Sequence, residues 1–135
     1  MWGHVGDSRL YHFRNGGIIF QTKDQSVPQA MVAAGEMDFD SIRGHEDRNR
    51  LLRALGKGEN FRPVVLPEPC PVETGDVFML CTDGLWEHIL EKEMESSLSA
   101  AESMDDWLRA LESMVQERAS GEFDNYSAMA ISVLK

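Results

Sequence analysis

Residues 75–87 read GDVFMLCTDGLWE, and the fold turns on how this stretch is divided. Gly75 and Asp76 make a turn, Val77 to Cys81 is an unbroken apolar run, and an aspartate, a glycine and a large indole follow closely. A strand without polar alternation is expected to be buried on both faces and therefore to lie in the middle of its sheet. Asp83 then stands just past a strand end. There it can cap a helix beginning at Leu85, with Trp86 as a core anchor, or hold its carboxylate out as a ligand.

Towards the N-terminus the chain alternates between extended and helical patterns. Leu10 and His12 alternate with Tyr11 and Phe13, Asn15 to Gly17 offers the positive-φ residues of a hairpin turn, and IIFQT is the return strand. A second tight turn at Gly6 to Arg9 is expected to join this hairpin to a strand within Trp2 to Val5, giving an antiparallel meander. Ser26 is a good N-cap, Pro28 suits a first helical turn, and Gly35 is placed to end a short helix. Residues 37–55 are weakly helical or irregular. The stretch RPVVLPEPCPV is a strand interrupted by Pro67, Pro69 and Pro71, so it belongs at an edge or leaves the sheet there.

Towards the C-terminus two helices are expected, a shorter one around Met94 and Leu98 and a stronger one from about Asp105 to Ala119. In the second, Trp107, Leu108, Leu111, Met114 and Val115 share one apolar face. A closing strand over Ser127 to Leu134 puts Met129, Ile131 and Val133 on one side. Strands first, helices between and a strand last, with no regular βαβ alternation, predict an α+β fold with a mainly antiparallel sheet.

The 135 residues, 42% of them hydrophobic, suffice for one core. A formal net charge of −10 argues against a phosphate-backbone binder, so no nucleic acid is expected as a partner. No apolar run approaches a membrane span and the N-terminus has no leader pattern, so no membrane association and a cytoplasmic setting are expected. Cys70 and Cys81 show neither disulfide nor zinc spacing, and His4, His12, His45 and His88 show no ligand spacing. Ser8 lies in no nucleophile-elbow context.

Three carboxylates sit where the backbone changes direction: Asp7 in GDSR, Asp83 in CTDGLWE and Asp124 in GEFDNYS. Each alone has an ordinary structural use, as an Asx-type turn, a helix cap or a turn residue. Together, each beside a different β-segment, they suit hard dications such as Mg²⁺, Mn²⁺ or Ca²⁺, which take rigidly held oxygen ligands.

Taken in order, GHVGDSRLY, TKDQSV, MVAAGEM, NRLLRALG, GDVFMLCTDGLWE and DNYSAMAISV resemble the second half of the metal-dependent serine/threonine protein phosphatases of type 2C, the PPM-type family. The resemblance runs from Trp2 to Leu134. It implies part of an antiparallel β-sandwich flanked by helices in α-β-β-α layers, with the N-terminal part of the fold missing, so that residues 1–135 form a single partial domain. It further implies that the complete protein hydrolyses phosphoserine or phosphothreonine in phosphoproteins, a metal-activated water attacking phosphorus in line. Two Mg²⁺ or Mn²⁺ ions are implied, with a third, weaker site in many members. By motif, Asp83 and Asp124 match ligands of the main pair, Asp7 matches an aspartate of the further site, and Glu87 falls where another acidic ligand of that site often sits. Asn125 matches a residue that orders the last turn. The family's first acidic pair, its phosphate-binding arginine and its general-acid histidine are not in this sequence, and Gln25 stands where a histidine is usual. The isolated chain is therefore expected to be inactive and to self-associate through an uncovered sheet edge. A non-enzymatic phosphatase-like binding or regulatory module is the competing expectation.

Overall fold

The computed structural model describes residues 1–56, 61–66, 68–119 and 124–135. Two compact units divide the chain, one formed by Met1–Ser8 with Lys23–Cys70 and the other by Arg9–Thr22 with Pro71–Lys135. Among the described residues the strands pair antiparallel, and the class is α+β as expected.

In the first unit β1 (Gly3–His4) pairs with β4 (Val64–Val65). The expected meander is corrected here: the strand in Trp2 to Val5 does not pair with the one that follows it. Gly6, at φ 93°, spends its backbone groups on Gln25 instead of closing a hairpin. Its carbonyl accepts the Gln25 N–H at 2.8 Å and its own N–H donates to Gln25 Oε1 at 3.1 Å. Helix α1 (Val27–Ala34) starts as its sequence dictates, with Ser26 Oγ accepting the Gln29 N–H at 3.4 Å. It ends on Gly35 at φ 74°, where the Gly35 and Glu36 N–H groups return to the Val32 and Met31 carbonyls in a Schellman closure. A short 3₁₀ turn, Phe39–Gly44, buries Ile42. Pro67 lies outside the described residues, and β4 is a two-residue edge pairing, which is what a proline-interrupted strand allows.

The second unit holds a four-stranded sheet in the order β3-β2-β5-β6, formed by β2 (Arg9–Arg14), β3 (Gly17–Gln21), β5 (Val77–Cys81) and β6 (Ala128–Ser132). Asn15 and Gly16, both at positive φ, make the two-residue turn between β2 and β3. An irregularity between His12 and Phe13 shifts the register, so that Phe20 faces His12 while Ile18 faces Phe13. Helices α3 (Glu91–Ala100) and α4 (Met104–Arg118) complete the unit, with the single turn α2 (Asp83–Trp86) between β5 and α3. The α4 face is the expected one, with Trp107, Leu111 and Val115 buried and the Trp107 indole set edge-on to Phe13 at 5.2 Å.

β5 is central, but it is not buried on both faces, which corrects the reading of its apolar run. Val77, Met79 and Cys81 are buried in the core, whereas Phe78 is half-buried and Leu80 is 42% exposed. By register Phe78 and Leu80 share their face with Ile131 and Met129 of β6, 48% and 60% exposed. One face of this sheet therefore carries the core, and the part of the other face formed by Leu80, Met129 and Ile131 is apolar and bare.

Candidate functional site

The sheet delivers Asp83 to its position through β5. Cys81 is the last residue of the strand, Thr82 occupies the N-cap position, and Asp83 is the first residue of α2. The cap is thus Thr82 and not Asp83, and the helix begins two residues before Leu85. Asp83 is half-buried, and its Oδ1 accepts the N–H of Gly84 at 3.0 Å. Leu85 and Trp86 are buried beneath this turn. Glu87 closes it, its N–H donating to the Asp83 carbonyl at 2.9 Å, so Asp83 and Glu87 stand four residues apart on one helical turn and one side.

Asp124 belongs to the segment entering β6 and is exposed, and its Oδ1 accepts the N–H of Asn125 at 2.7 Å. Both aspartates thus use one carboxylate oxygen on the next backbone N–H, which fixes the side-chain direction locally. Their backbones are close: a Cβ built on Gly84 would lie 3.3 Å from the Asp124 carbonyl oxygen and 2.6 Å from that of Asn125. Gly84 is not among the glycines at positive φ. It answers to a close approach and not to a left-handed backbone turn. Residues 121–123 of the GEFDNYS motif lie outside the described residues.

Asp7 lies in the first unit, half-buried, in the turn that Gln25 holds. Gln25 does more than its place in the sequence suggests. Besides its two bonds with Gly6, its Nε2 donates to the Arg62 carbonyl at 3.0 Å and its carbonyl accepts the Leu52 N–H at 2.8 Å. A polar residue at a turn gives no sign of such reach, because all its partners are distant in sequence.

Among the described residues no group of three or more His, Cys, Asp or Glu side chains is gathered closely enough to hold a metal ion. The donor types nevertheless fit a hard dication, since Asp83, Glu87 and Asp124 offer only carboxylate oxygens. His12 is engaged away from these carboxylates: it is buried, stacks on Phe78 at 4.2 Å, and its Nε2 lies 2.9 Å from Asp76 Oδ2. No helix among the described residues is long and apolar enough to cross a membrane.

An antiparallel sheet with helices against one face, Asp83 just past the end of β5 and Asp124 ahead of β6 agrees with what the resemblance to the PPM-type phosphatases implies. No family model matches the chain. It is 36% identical over 106 residues to the serine/threonine phosphatase stp of Listeria welshimeri, an alignment that takes in 76% of this chain and 40% of that protein. The crystal structure of the Mycobacterium tuberculosis serine/threonine phosphatase PstP superposes with a TM-score of 0.82 at 24% identity, over 98% of this chain and 54% of that one. A PstP catalytic domain solved in complex with two manganese ions gives a TM-score of 0.70 at 24% identity, over 97% and 53%. The homologues of this chain are thus serine/threonine phosphatases, and it matches their C-terminal half.

Proposed function

We propose that the complete protein hydrolyses phosphoserine and phosphothreonine in phosphoproteins, that it does so with Mg²⁺ or Mn²⁺ in a cytoplasmic setting, and that residues 1–135 are part of a single PPM-type domain. The observation that carries this reading is the approach of the Asp83–Gly84 backbone to Asp124–Asn125, two carboxylate-bearing segments packed together at the ends of β5 and β6. In this reading Asp83 and Asp124 are ligands of the main metal pair, and Asp7 and Glu87 serve a third, weaker site. Divalent cations bound there lower the pKa of water and neutralise charge on phosphoryl oxygens. The chain's own contribution is to hold hard anionic oxygens at a fixed place: Gly84 and Asn125 N–H groups pin one oxygen of each aspartate. Buried Leu85 and Trp86 anchor the turn from which Asp83 projects.

The two-manganese PstP domain supports the choice of metal. The isolated 135 residues are inactive in this reading, because two or three carboxylates without partner ligands hold a hard dication only weakly. Hydrolysis of an aryl phosphate by the complete encoded polypeptide is expected to require Mn²⁺ and to be lost in Asp83→Asn and Asp124→Asn. Turnover that survives both substitutions overturns the proposal. The bare apolar face of the sheet favours a second reading, a non-enzymatic phosphatase-like binding module. Lack of Mn²⁺-dependent turnover by the complete polypeptide with Asp83 and Asp124 intact decides for it.

A further inference from the structure

We infer that Thr82 and Gly84 are positioning residues that together clasp the 124–127 segment and thereby set the spacing of Asp83 and Asp124. The inference rests on the reading of those aspartates as metal ligands. Thr82 extends the β5–β6 ladder one step beyond its last strand pair, Cys81 with Ala128. Its N–H donates to the Ser127 carbonyl at 3.1 Å, and Thr82 Oγ1 accepts the Ser127 N–H at 3.1 Å. A threonine hydroxyl at an N-cap ordinarily accepts from the first turn of its own helix. Here it makes no such bond and reaches across to the neighbouring segment. The same residue's carbonyl still receives the Leu85 and Trp86 N–H groups at 3.1 and 3.4 Å. Thr82 therefore ties the start of α2 and the entry of β6 to one point.

Gly84 fixes the other end of the segment. A Cβ at this position would meet Asn125 O at 2.6 Å, Asn125 C at 3.1 Å and Asp124 O at 3.3 Å, all backbone atoms that no rotamer change can move aside. Asp83 lies in sequence between the two residues of the clasp. Asp124 lies at the end pressed against Gly84, three residues before the one bonded to Thr82. A side chain at 84 or a lost bond at 127 shifts Asp124 relative to Asp83. For a cation whose ligands must sit near 2.0–2.1 Å, about 1 Å of displacement is enough to lose a ligand.

The test uses Thr82→Val, which keeps the shape and removes the acceptor, Thr82→Ser, which restores it, and Gly84→Ala. Calorimetric Mn²⁺ titration of the complete encoded polypeptide is expected to show binding weakened about 10-fold or more in Thr82→Val and Gly84→Ala, and to within about 3-fold of the unaltered protein in Thr82→Ser, as is usual for residues that orient metal ligands. In metal-free protein, amide hydrogen exchange at Ser127 is expected to quicken in Thr82→Val and not in Thr82→Ser, which separates the clasp from general loss of fold. Unchanged Mn²⁺ affinity in Thr82→Val and Gly84→Ala, unchanged Ser127 exchange, or failure of serine to rescue overturns the inference. Full Mn²⁺ binding by Asp83→Asn and Asp124→Asn, or none by the unaltered protein, overturns the metal reading instead, and the exchange measurement then decides the clasp by itself.

Discussion

Asp76 is a fully enclosed carboxylate whose partners decide its charge. Arg14 Nε and Nη2 donate to its two oxygens at 2.8 Å each, the Glu73 N–H donates at 2.9 Å, and His12 Nε2 lies at 2.9 Å. The Arg14 bonds, and after them the Glu73 and His12 bonds, outweigh the cost of burial and hold the carboxyl well below its ordinary value of 3.8. A depressed carboxyl contributes stability that is present above the unfolded value and is lost as pH falls through the folded one. Urea unfolding is therefore expected to show a loss below about pH 4 in the unaltered chain that Asp76→Asn lacks, the variant being weaker near neutral pH and flatter in acid. Equal acid sensitivity in both would show that Asp76 does not carry this limb. Gln25 makes the complementary case of a neutral side chain. Gln25→Ala removes the acceptor for Gly6 and the donor to Arg62 and is expected to cost about 1–2 kcal/mol by urea denaturation. Gln25→Glu keeps the acceptor for Gly6 and should lose about half as much.

Between elements the governing contact is made by Arg9, a strand residue that is buried almost completely. Its guanidinium lies over the Trp86 ring at 3.6 Å, and Nη1 reaches Tyr11 Oη at 3.2 Å and Glu91 Oε1 at 3.5 Å. One side chain of β2 thus ties the sheet to α2 and to the first residue of α3. Burial pushes the Tyr11 hydroxyl far up, against the opposing pull of Arg9, so the phenol stays a neutral partner. Arg9→Ala is expected to cost about 3 kcal/mol, since it strips a buried cation from an aromatic face and leaves Glu91 Oε1 with the neutral Tyr11 hydroxyl in place of a charged partner. Arg9→Lys should recover less than half, because an ammonium cannot lie flat on the indole. Chemical denaturation of both variants checks this, and equal recovery by lysine would show that charge alone matters. Elements of this kind were legible in the sequence wherever the signal is local. Ser26 and Gly35 bound α1, Asn15 and Gly16 close the hairpin, and Trp107, Leu111 and Val115 mark the α4 face. Arg9 was not, because nothing near GDSR says that its arginine turns inward to an indole many residues away.

For the whole molecule, reading went wrong where a pattern has two physical causes. The apolar run of β5 announces burial on both faces, yet Leu80, Met129 and Ile131 stand in solvent, because apolarity records what a face is suited to meet and not whether it meets it here. The site was legible in part for the same reason. Asp83, Glu87 and Asp124 are candidates by motif and lie on adjoining segments, while the Thr82 bond to Ser127 and the close pass of Gly84 depend on a strand pairing that no local pattern reveals. The bare face also fixes how the 135-residue chain should behave in solution. Contiguous apolar surface on a sheet favours burial against another copy, and the outer edge of β6 adds main-chain groups that can pair. The 15.2 kDa chain is expected to associate with rising concentration in sedimentation velocity. Met129→Lys with Ile131→Lys, both on the bare face, is expected to restore the monomer without changing the circular dichroism, since neither side chain belongs to the core. A clean monomer of the unaltered chain up to about 100 μM would count against association by either route. Association that persists in the double variant would move it from the face to the strand edge, where the backbone is the adhesive and a lysine on the face is no obstacle.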